Sequence, residues 1–336
     1  MPMKIASAYA LNDSQRAIVA GAAPNAAIED RACRTPAEVD AVASGCDILL
    51  SFRIPDDLPS RAPNCRWVQL LSAGADHILD AVHQPPPNVA ITTASGIHAT
   101  PIAEYTIASM LAYTHRLHVT MRAQMKREWI RGGFMATVDE LRGKTLGVIG
   151  YGSIGRETAR LARAFGMKVL ALKRDPHDRR DPGWNPPGLG DPNGEFPERF
   201  LGPEQCAEIM AESDYVTVTL PLTPHTRGFV GKRELDAAKP GCYIVNIGRG
   251  SVIDERAMIA ALKSGKLGGA GLDVFETEPL PSESPLWEME NVILTPHMSG
   301  ANRGYMDKAC ELFAENLRRF AANQPLLNLV DRKLGY

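Results

Sequence analysis

The stretch TLGVIGYGSIG, residues 145–155, decides the fold. A strand-like run, TLGVI, leads into a turn with glycines at 150, 152 and 155, and a helical pattern follows over 156–165. The G-x-G-x-x-G spacing alone is a weak signal, but a strand before it and a helix after it are typical of a dinucleotide-binding turn. Gly150 permits the tight turn, Gly152 lets the backbone approach a pyrophosphate, and Gly155 lets the helix pack on the strand. The stretch therefore predicts an α/β domain that binds a dinucleotide.

The helix that follows adds to this site. Its N-terminus carries a partial positive charge, and the amides of Ser153 and Ile154 lie where they can bind a phosphate. The alternative is a purely structural strand–helix turn.

Short apolar runs alternate with helical patterns through most of the chain, which predicts an α/β protein with doubly wound parallel sheets. A first strand is expected near the N-terminus, and a helical pattern begins at Pro101 and another covers 306–324. Residues 179–199 are crowded with Pro and Gly and are predicted to be irregular. The remaining strand candidates are 46–52, 66–74, 87–96, 145–150, 167–172, 215–220, 242–248, 269–275 and 291–296.

Composition excludes several classes of protein. A length of 336 residues favours two lobes, and 44% hydrophobic with 23% charged residues is typical of a globular protein. A net charge of -2 gives no reason to expect nucleic-acid binding, and no apolar run reaches the roughly 18 residues of a membrane helix. The six cysteines form no CxxC pair, so we expect reduced thiols in a cytoplasmic protein. His115 and His118 have no third ligand in view, so no metal site is predicted.

The tip of the second strand, VLALKRDP at 169–176, departs from the usual pattern of such domains. An Asp or Glu is normally found there and accepts hydrogen bonds from the adenosine ribose of NAD. Lys173 and Arg174 would instead attract the 2′-phosphate of NADP(H) through charge-assisted hydrogen bonds. We therefore expect NADP(H), with NAD(H) left open because Asp175 could still reach the ribose and both cations could be solvated.

Three residues follow strands of the second half: Arg249 in NIGRGSVID, Glu278 in LDVFETEPL and His297 in TPHMSG. Each alone has a plain structural explanation, since His297 could cap or pack, Arg249 could bind a helix end and Glu278 could be a solvated loop charge. Together they supply what reduction of a 2-keto acid needs beside a hydride. A histidine paired with a carboxylate can give a proton to the carbonyl oxygen, and an arginine can hold the substrate carboxylate.

These motifs, with LPLTPHTRG (220–228) and LLSAGADHI (70–78), resemble the successive signatures of the D-isomer-specific 2-hydroxyacid dehydrogenases over nearly the whole chain. The cationic strand tip resembles the glyoxylate/hydroxypyruvate reductase branch of that family most. The resemblance implies an oxidoreductase that reduces a small 2-keto acid to the D-2-hydroxy acid with NAD(P)H. It implies that Arg249 binds the substrate, that His297 is the acid/base and that Glu278 is its partner.

The resemblance assigns further residues by position. It gives the substrate carboxylate to the turn of Ser72, Ala73 and Gly74, which would form a small backbone anion site. It also assigns cofactor contacts to six residues of the second half: Leu220, Pro221, Thr226, Ile247, Asp273 and Gly300. Of these, Asp273 would contact the nicotinamide carboxamide.

The resemblance also implies two Rossmann-like lobes, with the cofactor lobe inserted into a flavodoxin-like substrate lobe. Residues 1–98 with 298–336 would form the substrate domain and 99–297 the dinucleotide-binding domain, and closure between them would exclude water. A homodimer built through the helical arm at 101–130 is expected. The segment at 179–199 would lie near the adenosine end as a lid, an interface element or a disordered loop, of which we favour the last.

A second class of function stays open. The same fold serves in non-catalytic, dinucleotide-sensing scaffolds of the corepressor type, and an intact Arg249, Glu278 and His297 does not exclude them. Turnover of 2-keto acids would distinguish the two.

Overall fold

The computed structural model describes residues 2–75, 78, 86–181 and 183–335, and the chain divides into two compact units. Unit 1 comprises Met1–His98, Pro182–Pro186 and Asn302–Tyr336. Unit 2 comprises Ala99–Asp181 and Pro187–Ala301. The roles predicted for residues 1–98 with 298–336 and for 99–297 stay predictions.

The elements of the described residues are numbered in chain order. The strands are β1 Lys4–Ser7, β2 Ala27–Asp30, β3 Ile48–Ser51, β4 Trp67–Leu70, β5 Ala90–Thr92, β6 Thr145–Ile149, β7 Lys168–Leu172, β8 Arg199–Leu201, β9 Tyr215–Val218, β10 Cys242–Asn246, β11 Leu267–Leu272 and β12 Val292–Leu294. The α-helices are α1 Asp13–Ala22, α2 Pro36–Val42, α3 Leu58–Arg61, α4 Ala99–Thr114, α5 Leu117–Lys126, α6 Ser153–Ala164, α7 Cys206–Glu212, α8 Lys232–Ala237, α9 Glu255–Lys263 and α10 Tyr305–Ala321.

Unit 1 is built on a five-stranded parallel sheet in the order β2-β1-β3-β4-β5. This is the strand order of flavodoxin-like folds. The central strands β3 and β4 are buried at every residue, as expected for parallel strands covered on both faces. Trp67 of β4 packs against Phe313 of α10 with ring centroids 5.2 Å apart, and its Nε1 donates to Thr92 Oγ1 at 2.8 Å. The C-terminal helix therefore completes the core that the first strands begin.

Unit 2 is built on a seven-stranded parallel sheet in the order β12-β11-β10-β9-β6-β7-β8. The chain order reverses between β6 and β9, which is the switch point of a doubly wound Rossmann sheet. Helix α4 packs on this sheet through a polar contact, in which Ser109 Oγ and the Tyr243 hydroxyl lie 2.9 Å apart. The α/β class with two doubly wound parallel sheets is confirmed.

Most strand predictions are confirmed, and two strands were missed. Strand β2 lies at the edge of its sheet and alternates exposed with half-buried residues, so it lacks the apolar run of a central strand. Strand β8 has only three residues and begins at Arg199, where the stretch predicted to be irregular ends. Short edge strands carry little hydrophobic pattern because only part of their surface is buried.

The helical pattern that starts at Pro101 is two helices rather than one. Helix α4 ends at Thr114 and α5 begins at Leu117, because Arg116 adopts a left-handed backbone with φ 56°. Apolar spacing alone does not report such a break.

Residues 183–198 contain no helix or strand among the described residues, as predicted. They are nevertheless held by specific hydrogen bonds, which corrects the expectation of a disordered loop. Trp184 N donates to Asn328 Oδ1 at 3.0 Å in unit 1, and Gly190 N donates to the carboxylate of Glu157 at 2.8 Å in unit 2.

Of the described helices, none combines the length and the apolar content that crossing a bilayer requires.

Candidate active site

The glycine turn between β6 and α6 has the close contacts that its sequence predicts. Gly150 has φ +104°, and a Cβ there would lie 2.8 Å from Thr219 Oγ1 and 3.2 Å from Leu220 N. A Cβ on Gly155 would lie 2.4 Å from Gly150 O and 2.8 Å from Val148 Cγ1, so only glycine lets the helix approach the strand.

Space for a ligand begins at Gly152. Apart from Gly152 itself and its two chain neighbours, no described residue has an atom within 4 Å of a Cβ built here. Gly152 is the N-cap of the twelve-residue helix α6 and has no side chain to cap it, so the amides of Ser153 and Ile154 begin the helix at an open turn. Uncapped amides at a helix N-terminus fit the pyrophosphate of a dinucleotide.

The other predicted cofactor residues of this region lie on the neighbouring strand ends. Leu220 and Pro221 follow β9, the strand beside β6, and Thr226 Oγ1 donates back to Pro221 O at 2.6 Å. Ile247 directly follows β10 and is buried. These residues border the switch point, although their contact with a cofactor stays a prediction.

The tip of β7 carries the predicted cations. Lys173 Nζ donates to the carbonyl oxygen of Arg180 at 3.1 Å and to that of Asp178, so the ammonium folds the loop at 173–181 back onto the strand tip. Asp175 uses Oδ1 to accept a hydrogen bond from His177 N at 2.9 Å and so stabilises the turn locally. Arg174 lies between these two residues at the tip.

Three predicted catalytic residues follow three adjacent strands of one sheet. Arg249 lies beyond β10, Glu278 beyond β11 and His297 beyond β12, and β10, β11 and β12 are consecutive in the sheet. All of the pairings are parallel, so the carboxyl ends of the three strands lie at one edge. Ligands of open α/β sheets bind at this edge.

Glu278 and His297 form a direct pair. His297 Nδ1 lies 2.8 Å from Glu278 Oε2, and the other carboxylate oxygen accepts Phe275 N at 3.0 Å. The two side chains are 51% and 35% exposed, so the imidazole can be reached from solvent while the carboxylate is more enclosed. With Nδ1 bound to the carboxylate, Nε2 is the ring nitrogen that can exchange a proton with a substrate.

The loops that carry Arg249 and Glu278 are packed together. A Cβ on Gly250 would lie 1.9 Å from the carbonyl carbon of Phe275, so the backbones touch there. Arg249 Nη1 donates to Gly248 O at 3.0 Å, and Asn246 Nδ2 donates to Arg249 O at 3.2 Å. These contacts hold the arginine loop beside the loop that leads to Glu278.

The turn that carries His297 is fixed by Asp273, which is fully buried. The carboxylate accepts hydrogen bonds from Thr295 Oγ1 at 2.6 Å and from the amides of Met298 and Ser299, each at 2.9 Å. His297 adopts φ 51°, a left-handed conformation that costs a non-glycine residue energy, and these bonds on both sides maintain it. Contact of Asp273 with the nicotinamide stays a prediction, and its observed contacts orient the histidine.

Sequence reasoning did not find Tyr105 in this arrangement. Its hydroxyl lies 2.7 Å from Thr295 Oγ1, and because Thr295 donates to Asp273, the tyrosine is the donor to Thr295. Burial raises the pKa of Tyr105 to about 12, so this hydroxyl stays protonated at neutral pH. The sequence predicts the helix that carries Tyr105, but a helical pattern does not indicate which side chain the hydroxyl binds.

The remaining predicted residues lie elsewhere. Ser72, Ala73 and Gly74 follow β4 at the carboxyl edge of the unit 1 sheet, where Ser72 Oγ donates to Gly74 O at 2.8 Å and Ala94 N donates to Ser72 O. Gly300 lies three residues after His297, near the end of unit 2.

The chain is similar to known proteins over most of its length. Residues 107–299 match the family model described as D-isomer specific 2-hydroxyacid dehydrogenase, NAD binding domain. A glyoxylate reductase of Aeropyrum pernix is 35% identical over 293 residues, which are 85% of this chain and 82% of that protein.

Two solved structures match the chain over its full length. One is the NADPH-dependent glyoxylate/hydroxypyruvate reductase of Sinorhizobium meliloti in complex with NADP and sulfate, with a TM-score of 0.77, 28% identity and coverage of 100% of this chain and 99% of that one. The other is a D-isomer specific 2-hydroxyacid dehydrogenase of Xanthobacter autotrophicus in complex with NADPH and MES, with a TM-score of 0.77, 30% identity and the same coverage.

The glycine turn generates a matched pair of substitutions. Gly155→Ala should lower the thermal unfolding midpoint by about 2–10 °C, because the new Cβ meets the backbone of Gly150. Gly152→Ala should leave that midpoint unchanged, since its Cβ points into open space among the described atoms, but should weaken binding of a dinucleotide whose pyrophosphate must approach the backbone. Differential scanning fluorimetry and titration of NADPH fluorescence measure the two effects. Equal destabilisation by both variants would contradict the assigned contacts.

Proposed function

The chain belongs to the D-isomer-specific 2-hydroxyacid dehydrogenase family, and from that premise we propose that it reduces a small 2-keto acid of the glyoxylate or hydroxypyruvate type to the D-2-hydroxy acid, with NADPH as the preferred donor. The observation that carries the proposal is the placement of Arg249, Glu278 and His297 after three consecutive parallel strands, with His297 Nδ1 2.8 Å from Glu278 Oε2.

The reaction adds a hydride to the carbonyl carbon and a proton to the carbonyl oxygen. NADPH supplies the hydride when it is bound. His297 delivers the proton from Nε2, while Glu278 accepts a hydrogen bond from Nδ1 and stabilises the imidazolium that exists before transfer. Arg249 holds the substrate carboxylate and carbonyl oxygen with its planar guanidinium, which fixes the carbonyl beside the imidazole.

We assign the substrate carboxylate also to the turn of Ser72, Ala73 and Gly74. Residues 1–98 with 298–336 then form the substrate domain, and 99–297 form the cofactor domain. The bounds of the two compact units, which differ from this division mainly at Pro182–Pro186, support the assignment.

The preference for NADPH rests on the cationic loop at 173–181. Lys173 keeps the loop folded, and together with Arg174 it places positive charge at the strand tip where a 2′-phosphate would lie. The relatives of known structure that were solved with NADPH or NADP support the same preference.

We also propose a homodimer formed through α5 and the residues after it. Met121, Met125 and Trp129 are 65%, 87% and 91% exposed, and Met135 is 63% exposed. Large apolar side chains rarely cluster on the surface of a monomer. Their sequence positions lie in or next to the arm that the family resemblance assigned to the interface.

Turnover tests the proposed function directly. NADPH oxidation should be observed with glyoxylate or hydroxypyruvate, and His297→Ala should lower kcat by about 10²–10⁴ because the proton donor is lost. His115→Ala removes an exposed histidine of the same unit and should leave kcat unchanged. A His297→Ala variant that keeps most of its activity would remove His297 as the acid. Tight dinucleotide binding without turnover of any 2-keto acid would favour the sensing scaffold instead.

Cofactor choice is tested by removing the two cations. Lys173→Ala combined with Arg174→Ala should raise KM for NADPH by about 10–100-fold and change KM for NADH by less than about twofold, because only NADPH carries the 2′-phosphate. Lys232→Ala combined with Arg233→Ala removes the same charge from an exposed part of α8 and serves as the control. A parallel rise in both KM values would contradict the preference for NADPH.

The dimer is tested on its exposed apolar residues. Met125→Asp combined with Trp129→Asp should convert the protein to a monomer in light scattering, because two charges would be buried without partners. Phe165→Asp alters another exposed aromatic residue of unit 2, 43% exposed, and should leave the molar mass unchanged. A wild-type protein that is already monomeric at micromolar concentration would refute the interface.

A further inference from the structure

The Pro- and Gly-rich stretch at 179–199 is bound to the glycine turn by a buried tyrosine. Tyr151, the residue between Gly150 and Gly152, donates its hydroxyl to Asp191 Oδ2 at 2.7 Å, and both residues are buried. Asp191 also accepts the amides of Glu195 at 2.8 Å and Phe196 at 3.0 Å. One carboxylate thus joins the cofactor motif to a turn forty residues further along.

The arginine that follows the same motif binds the stretch at three more points. Arg156 follows Gly155 directly and is only 1% exposed. Its guanidinium donates to the carbonyl oxygen of Asp191 and, at 2.8 Å, to that of Arg179, and its Nε lies 3.5 Å from Asp181 Oδ2. The guanidinium carbon lies 4.8 Å from the centre of the Tyr151 ring.

A third anchor lies one residue further along α6. Glu157 is fully buried, and its carboxylate accepts Gly190 N at 2.8 Å while pairing with Arg160 at 2.7 Å. Charged side chains are rarely buried without a specific partner, so these contacts define one position of the stretch relative to α6.

We propose that Tyr151, Arg156 and Asp191 are positioning residues for cofactor specificity, which hold the cationic loop at 173–181 where it meets the 2′-phosphate of NADPH. The inference rests on the proposed preference for NADPH. Arg156 fixes the carbonyl of Arg179, and Lys173 fixes that of Arg180, so the far end of the loop is held from two sides, by the glycine-motif helix and by the strand tip.

The energetic reason is preorganisation. A nine-residue loop that is free before binding must be ordered when the phosphate arrives, and that ordering weakens the observed affinity. Tyr151 is suited to a permanent bond, because burial, and then the neighbouring Asp191 carboxylate, raise the pKa of its hydroxyl and keep it protonated as a donor. Dinucleotides without the 2′-phosphate do not use the loop, so they should not depend on the network.

The experiment compares two nucleotides by calorimetry on the full-length protein: adenosine 2′,5′-bisphosphate, which carries the 2′-phosphate, and adenosine 5′-monophosphate, which differs from it only in lacking that group. Tyr151→Phe keeps the ring beside Arg156 and removes only the hydroxyl bond to Asp191. It should weaken binding of the 2′,5′-bisphosphate by about 5–30-fold and binding of the 5′-monophosphate by less than about twofold. Arg156→Lys, which keeps the charge but loses the planar fork, should act in the same direction.

Asn193→Ala is the matched control, since this residue of the same stretch is exposed and its side-chain amide donates to the exposed carboxylate of Glu195 at 3.4 Å. Thermal unfolding of each variant checks that the fold is retained. A wild-type protein that prefers the 2′,5′-bisphosphate, with variants that keep its preference, would overturn the positioning role alone. A wild-type protein that binds both nucleotides equally would overturn the NADPH preference and this inference together, while leaving reduction of keto acids to be judged by turnover.

Discussion

All strands of one parallel sheet end at the same edge, and unit 2 depends on this constraint. Residues 249, 278 and 297 are far apart along the chain, yet they follow β10, β11 and β12, which are neighbours in the sheet. The glycine turn follows β6 and the cationic loop follows β7 at that edge as well. Loops can vary in sequence there without disturbing the strands, because the sheet is held by backbone hydrogen bonds and by an apolar core on both faces. The carboxyl edge of the sheet therefore determines which loop residues lie close together, and the apolar core stabilises the strands that form this edge.

Within that frame, buried carboxylates decide the local geometry. Asp273 fixes the turn of His297 through one hydroxyl and two amides, and Asp191 fixes a second turn through one hydroxyl and two amides. In each case a tyrosine hydroxyl belongs to the hydrogen-bond network of the carboxylate. Tyr151 donates to Asp191 directly, and Tyr105 donates to Thr295, which in turn donates to Asp273. A buried carboxylate with several donors is expensive to move, because any displacement leaves a charge without hydrogen bonds in a region of low dielectric. The two carboxylates therefore hold His297, with its left-handed backbone, and the irregular stretch at 179–199 in single positions.

The sequence predicted the features that have a local pattern. Glycine spacing between a strand and a helix located the dinucleotide turn, and apolar runs located the buried strands. It missed β2 and β8, which are short edge strands, and it joined α4 to α5, because a single left-handed residue, Arg116, leaves no trace in the apolar spacing. It also could not pair Tyr151 with Asp191 or Tyr105 with Thr295, since hydrogen bonds between distant side chains have no period along the chain. The role of Lys173 was seen only in part, because its bonds to backbone carbonyls depend on how the following loop folds.

The stretch at 179–199 shows how an irregular segment can be specific. Proline and glycine prevent a helix or strand there, so the backbone polar groups need partners from elsewhere in the fold. Arg156 donates to two of those carbonyls and Glu157 accepts one of the amides, and both residues lie on the helix that begins at the glycine turn. Charged side chains of α6 thus provide hydrogen-bond partners for backbone groups of the irregular segment. Because those same residues neighbour Gly155, the position of the segment is tied to the turn itself.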